Sequence, residues 1–108
     1  QIVFNLVHNA IDAASGGAGA RVSVSLDAVA DPVVVDVSDT GPGVPADLRS
    51  RVFEPFVSGK PDGTGLGLAL CQRLAERMGG EVALLDGLPT TFRVILRRQP
   101  ARKDEVSR

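Results

Sequence analysis

The sequence predicts an α+β fold, a two-layer sandwich with helices packed on one face of a mostly antiparallel sheet. Two observations carry that expectation. Residues 1–14 and 66–78 repeat apolar side chains with a helical period, and four short segments alternate apolar with polar, grouped by turn signals into two hairpins. A third observation sets the size: 108 residues, 44% apolar and 23% charged, suit one globular domain.

The first helix is expected over residues 1–14, where Ile2, Phe4, Leu6, Val7, Ala10, Ile11 and Ala14 are compatible with a largely buried helix. Ser15 to Ala20 breaks it. From Arg21 to Ala28, Val22, Val24 and Leu26 alternate with polar neighbours as in a half-buried strand. Asp31-Pro32 turns the chain into a second strand, Val33 to Ser38. Pro45 to Val52 reads as a short helix, and Phe53 to Asp62, with two prolines and a glycine, as a loop. Leu66 to Met78 forms the second long helix, with Leu66, Ala69, Leu70, Leu74 and Met78 on one face and Gly79-Gly80 as its stop. Strands Glu81 to Asp86 and Thr91 to Arg97 close the domain around Gly87-Leu88-Pro89, with Phe92, Val94 and Leu96 inward. The segment 98–108 is a polar tail, and no repeat is visible.

Charge and composition narrow the function. Residues 97–108 hold five basic groups against two acidic, so residues 1–96 are net acidic, and the chain has four Phe with no Tyr or Trp. That excludes a general nucleic-acid binder, so a bound polyanion would be held by backbone amides or a metal. No apolar run approaches the roughly 20 residues of a membrane-spanning helix, and no signal peptide opens the chain. The single cysteine, Cys71, excludes a disulfide framework, so a cytoplasmic setting is expected. The chain begins on Gln1 rather than Met and reads as a piece of something longer.

Three segments carry chemistry. Gln1, Asn5, Asn9 and Asp12 form a polar stripe on an otherwise apolar helix, which is either a solvated face or a row facing a cleft where Asn9 meets a hard cation such as Mg²⁺. Asp39-Thr40-Gly41-Pro42-Gly43 follows a hydrophobic strand. An aspartate there can accept a hydrogen bond from an exocyclic amino group, and the glycines admit a flat ring, although a plain turn uses the same residues. Gly63-Thr64-Gly65-Leu66-Gly67-Leu68 opens the second helix, each interior glycine costing about 1 kcal/mol. Backbone N–H groups at a helix N-terminus bind phosphate without lysines, which suits an acidic core.

Taken in order, these segments resemble the boxes of the ATP-binding catalytic domain of bacterial sensor histidine kinases, relatives of DNA gyrase and certain heat-shock chaperones (the GHKL superfamily, Bergerat fold). Asn5-Leu6-Val7-His8-Asn9-Ala10 resembles the N box, Asp39 to Gly43 the G1 box, Phe53-Glu54-Pro55-Phe56 the F box and Gly63 to Leu68 the G2 box. The resemblance covers residues 1–97 and implies a domain that lacks its first elements.

By that resemblance Asn9 ligates the Mg²⁺ that bridges the phosphates, Asp39 bonds the adenine amino group, and Gly65, Leu66 and Gly67 offer N–H groups to the phosphates. Asp12, Gly41, Gly43, Gly63, Thr64 and Leu68 complete the ATP-binding set. Thr90 resembles the strand residue that reaches adenine through water, with Thr91 its competitor. Val57 to Asp62 resembles a short ATP lid of the nitrogen-sensing and dicarboxylate-sensing kind, with Lys60 reaching a terminal phosphate.

The implied activity is transfer of the γ-phosphoryl group to a histidine on a separate upstream dimerisation domain, then to a response regulator. The cofactors are ATP and Mg²⁺, and the parent is a homodimer whose anchoring in the inner membrane stays open. Asn5 and Lys60 are the expected catalytic residues: in hydrolysing relatives a glutamate stands at the position of Asn5 and activates water. A GHKL-type hydrolase or switch and a nucleotide-regulated docking module are the rival readings. Asp12 departs from the family, many of whose members carry a basic residue there. His8 is not expected to be the phosphoacceptor.

Overall fold

The computed structural model describes residues 1–15, 18–29, 31–57 and 65–97. Helix α1 (Ile2–Ala14) leads into strands β1 (Val22–Asp27) and β2 (Val33–Asp39), and helix α2 (Gly67–Arg77) into β3 (Glu81–Leu84) and β4 (Thr90–Leu96). The sheet is antiparallel throughout, in the order β1-β2-β4-β3. The two hairpins are thus joined through a central β2–β4 pair, and the expected α+β sandwich is the fold observed.

Register decides which side chains form the core, because residues opposite one another in a ladder share a face. Val35 pairs with Val94 and Val37 with Phe92, and on the far side Val82 pairs with Val94 and Leu84 with Phe92. The helices cover this face. Ile2, Leu6 and Ala10 descend from α1 and Cys71 and Ala75 from α2 to complete one cluster. Leu6, Val37, Val94 and Cys71 are its fully buried members, and a buried aliphatic side chain contributes about 1.5–3 kcal/mol.

The structure corrects three expectations about burial. Helix α1 buries one stripe, Ile2, Leu6, Ala10 and Ala14, whereas Phe4 and Ile11 are 67% and 54% exposed. Apolar residues occupy more of its circumference than one sheet face can cover. Strand β1 has the expected alternation, but Val24 and Leu26 are 51% and 66% exposed, since β1 is an edge strand that the helices reach only at Val22. Helix α2 buries Ala69, Cys71 and Ala75, and leaves Leu66, Leu70 and Met78 exposed. Small residues on its inner stripe let it lie close against α1 and the sheet.

The helix expected at Pro45 to Val52 is a succession of turns with a 3₁₀ turn at Arg49–Arg51, carried by Leu48 N–H to Pro45 O (2.9 Å) and Arg51 N–H to Leu48 O (2.9 Å). Only Val52 of this segment is buried, too little to offset the nucleation of a full helix. Arg49 Nη2 donates to Leu85 O at 2.9 Å and pins the segment beside the β3–β4 hairpin. Helix α2 stops where expected. Gly79 at φ 77° lets its N–H reach Glu76 O (3.1 Å) and the Gly80 N–H reach Ala75 O (2.8 Å), the pattern of a Schellman cap.

The open face of the sheet is polar. Asp36 and Arg93 sit opposite each other on β2 and β4 and form a bidentate pair, both bonds 2.8 Å. Hydrogen bonding to Arg93 holds the Asp36 carboxyl below the usual carboxylate range, against a smaller opposing effect of burial. No described helix is long and apolar enough to cross a membrane.

Candidate functional site

The polar stripe of α1, the turn after β2 and the start of α2 enclose one cavity of about 610 Å³, within the range of small-molecule sites. Of the residues singled out in the sequence, Asn5, Asn9, Asp12, Asp39, Gly43, Gly65, Gly67, Leu68 and Thr90 line it. Leu66 is nearby but exposed, and Gly41 stands behind the wall. Lys60, Gly63, Thr64 and the lid from residue 58 lie outside the described residues.

The floor is made by the central strand pair. Asp39 ends β2 and Thr90 begins β4, directly opposite in register, 4% and 5% exposed. Asp39 Oδ1 accepts the Gly41 N–H at 2.8 Å, which fixes the rotation of the carboxylate. A side chain at Gly41 would come within 2.5 Å of the Ala13 carbonyl oxygen, so this turn rests directly on the end of α1. Thr90 Oγ1 is buried with no hydrogen-bond partner among the described residues. An unpaired buried hydroxyl costs free energy unless something satisfies it. Thr91 has its side chain on the opposite face, bonded to Ser38 Oγ (2.9 Å) and Pro89 O (3.0 Å). The geometry therefore brings Thr90, and not Thr91, to the cavity.

Sequence reasoning missed the apolar wall: Pro42, Val44, Leu48, Val52 and Phe92. Phe53 backs it through an edge-on contact with Phe92, ring centroids 6.1 Å apart at 85°. The alternation of β4 identified Phe92 as inward, but nothing local told core from cavity. His8 also lines the space, its Nδ1 3.7 Å from Asp12 Oδ2.

The roof is held by the α1–α2 contact. Burial pushes the Cys71 thiol pKa up, and hydrogen bonding to the Asn5 side chain partly offsets this. Cys71 Sγ also reaches Ile2 O at 3.6 Å. At the mouth, Gly65 has φ 72° and a Cβ there would meet Phe56 Cα at 2.6 Å, so this position requires glycine. Phe56, itself at φ 68°, donates its N–H to Gly65 O at 2.9 Å, so these two residues lie side by side. Among the described residues a Cβ at Gly67 would meet nothing within 4 Å.

These parts can hold a flat ring between an apolar wall and a floor with an acceptor and a hydroxyl, and an anionic group between carboxamides and helix amides. The donor set fits a hard cation at Asn9. Among the described residues no group of three His, Cys, Asp or Glu side chains is arranged to hold a metal alone, so such a cation fits only together with an anionic ligand.

Comparison with known proteins agrees with this geometry. Residues 1–100 match the family model described as histidine kinase-, DNA gyrase B-, and HSP90-like ATPase. The chain is 38% identical over 109 residues to the sensory histidine kinase/phosphatase NtrB of Rhodobacter capsulatus, covering 89% of this chain and 30% of that protein. It is 35% identical over 99 residues to the C4-dicarboxylate transport sensor protein DctB of Rhizobium meliloti, covering 91% and 16%. The chain thus spans under a third of the length of these relatives. Among solved structures it superposes on the catalytic domain of histidine kinase ThkA with a TM-score of 0.79 at 28% identity, covering 93% of this chain and 67% of that one. Full-length ShkA in complex with AMPPNP gives 0.68 at 35% identity, covering 92% and 22%.

Proposed function

Since the chain belongs to the histidine kinase-, DNA gyrase B- and HSP90-like ATPase family, we propose that it binds ATP with Mg²⁺ in this cavity and delivers the γ-phosphoryl group to a histidine on a separate, upstream dimerisation domain. A response regulator then receives the group, and the parent works as a homodimer with this domain in the cytoplasm. The observation that carries the reading is the pair Asp39 and Thr90: a fixed carboxylate beside a buried hydroxyl that has no partner among the described residues, facing an apolar wall.

In this reading Asp39 accepts a hydrogen bond from the adenine amino group and Thr90 satisfies its hydroxyl on the ring, directly or through one water. Guanine presents a carbonyl where adenine has its amino group, so the floor selects adenine. The amides of Gly65, Leu66 and Gly67 face the phosphates, and Lys60 reaches the terminal one. Asn9 holds the cation, which neutralises phosphate charge when bound. Asn5 stands where hydrolysing relatives use a glutamate, and a carboxamide cannot take a proton from water. The phosphoryl group is thereby kept for a histidine, whose neutral imidazole is a sufficient nucleophile near pH 7.

Calorimetric titration of ATP with Mg²⁺ into the chain tests binding: saturable heat is expected, and its absence at millimolar ATP sinks the reading. Fusing the chain to a histidine-bearing dimerisation domain should then give ATP-dependent phosphohistidine, with no label on His8. Steady turnover of ATP by the chain alone would favour a hydrolase instead.

A further inference from the structure

We propose that Arg49 is a positioning residue for the base end of the cavity: by bonding the β3–β4 hairpin to the apolar wall it sets the gap into which the flat ring fits, and with it the preference for adenine. The inference rests on the ATP-site reading and deepens it.

Wall and floor come from separate parts of the chain. Leu48 and Val52, which flank the 3₁₀ turn Arg49–Arg51, line the wall, and Thr90, at the start of β4, lies in the floor. Arg49 bridges them. Its Nη2 donates to Leu85 O at 2.9 Å and stands 3.6 Å from Asp86 Oδ1. The Leu85 N–H in turn donates to Thr91 O at 2.9 Å, so the residue that Arg49 holds is paired with the neighbour of Thr90. The turn between them is fixed as well. Thr91 Oγ1 donates to Pro89 O at 3.0 Å, and Leu88 Cδ2 and Thr90 Oγ1 lie 3.3 and 3.5 Å from the point where a Cβ of Gly43 would stand. A bond from a guanidinium to a carbonyl holds more firmly than a neutral one, and with the Arg49 side chain 31% exposed solvent competes only in part. The contact with Asp86, whose side chain is fully exposed, adds little. The phosphate end is built from α1 and the start of α2 instead, so loosening the Arg49 bond shifts the ring against Asp39 and Thr90. A ring displaced in a widened gap keeps its apolar contacts better than its directional bonds, which weaken steeply with angle. Discrimination between bases therefore depends on Arg49 more than affinity does.

Calorimetry with Mg²⁺ gives the Kd of ATP and, by displacement of ATP, that of ITP, whose base has a carbonyl in place of the adenine amino group. Wild type should prefer ATP. Arg49→Gln should weaken ATP binding by about two- to tenfold, the coupling expected through one hydrogen-bonded contact, weaken ITP less, and so lower the preference. Arg49→Met, which keeps the alkyl stem without the donors, should do the same. Arg51→Gln controls for the lost charge: Arg51 pairs at 3.6 Å with Glu54 in its own segment, and its replacement should leave the preference at the wild-type value. An unchanged preference in either Arg49 variant overturns the proposal, as does an equal fall in Arg51→Gln or a wild type that binds both nucleotides equally. Absence of ATP binding by wild type overturns the ATP-site reading and this one with it, whereas ATP binding with a preference indifferent to Arg49 overturns this one alone. Circular dichroism will establish that each variant folds.

Discussion

At the scale of single residues, Asp39 is the centre of the proposed recognition. Its Oδ1 is already engaged by the Gly41 N–H, so Asp39→Asn keeps that bond only in one orientation and presents a donor to the adenine amino group in place of an acceptor. Loss of such a buried bond costs roughly 1–3 kcal/mol, about 5- to 150-fold in Kd. Calorimetry should read that loss for ATP with little change in melting temperature. Gly65 is sensitive for the opposite reason. Gly65→Ala places a methyl against Phe56 at a positive φ, and should destabilise the chain by about 1 kcal/mol or more in urea unfolding. Many of the cavity-lining residues were legible in the sequence because they break local rules: asparagines inside a helix, glycines at a helix start, an aspartate leaving a strand. Thr90 and Thr91 stood as competitors by resemblance alone, although the alternation that turns Phe92 inward already puts Thr90 on the cavity face and Thr91 on the other.

At the scale of elements, α1 has to serve two masters with one helix, a core stripe and a site stripe. Leu6→Ala removes a fully buried side chain and should cost about 2–5 kcal/mol, whereas Phe4→Ala, at the surface, should cost far less by the same unfolding measurement. The β2–β4 pair adds a pH-dependent contribution through Asp36 and Arg93. The Asp36 pKa is lowered in the folded state, so the contribution is present above the unfolded carboxylate value near 3.8 and is lost as pH falls through the lower folded value. Urea titrations of wild type and Arg93→Gln should differ near neutrality and converge in acid. Element boundaries and type were largely readable from period and turn signals. Burial was not: the amphipathic pattern on β1 and α2 predicts a face, but how much of that face is covered depends on where the neighbouring element lies. That is why Val24, Leu26 and Leu70 are exposed despite correct alternation or spacing.

At the scale of the whole molecule, the site is a seam, with every wall supplied by a different part of the chain. A ligand bound there stabilises only the fully assembled state, by about 2.7 kcal/mol at a hundredfold excess over Kd. Mg²⁺ with ATP should therefore raise the melting temperature, and in EDTA the rise should shrink. The overall architecture was accessible from the sequence because local preference and fold agree along most of the chain. The cavity itself was not, since its apolar wall consists of residues that look like ordinary core.

The pairing of Asp39 with Thr90 has a kinetic consequence. The two floor residues are about fifty positions apart in the chain, and bringing them together closes a long loop, a late and slow event compared with forming α1 or either hairpin. A transition state that has not closed this seam cannot recognise the nucleotide. ATP should thus leave the refolding rate nearly unchanged and slow unfolding instead, so that bound nucleotide sets the lifetime of the domain more than its rate of assembly. Stopped-flow refolding and unfolding with and without Mg²⁺ and ATP will show which limb of the chevron moves.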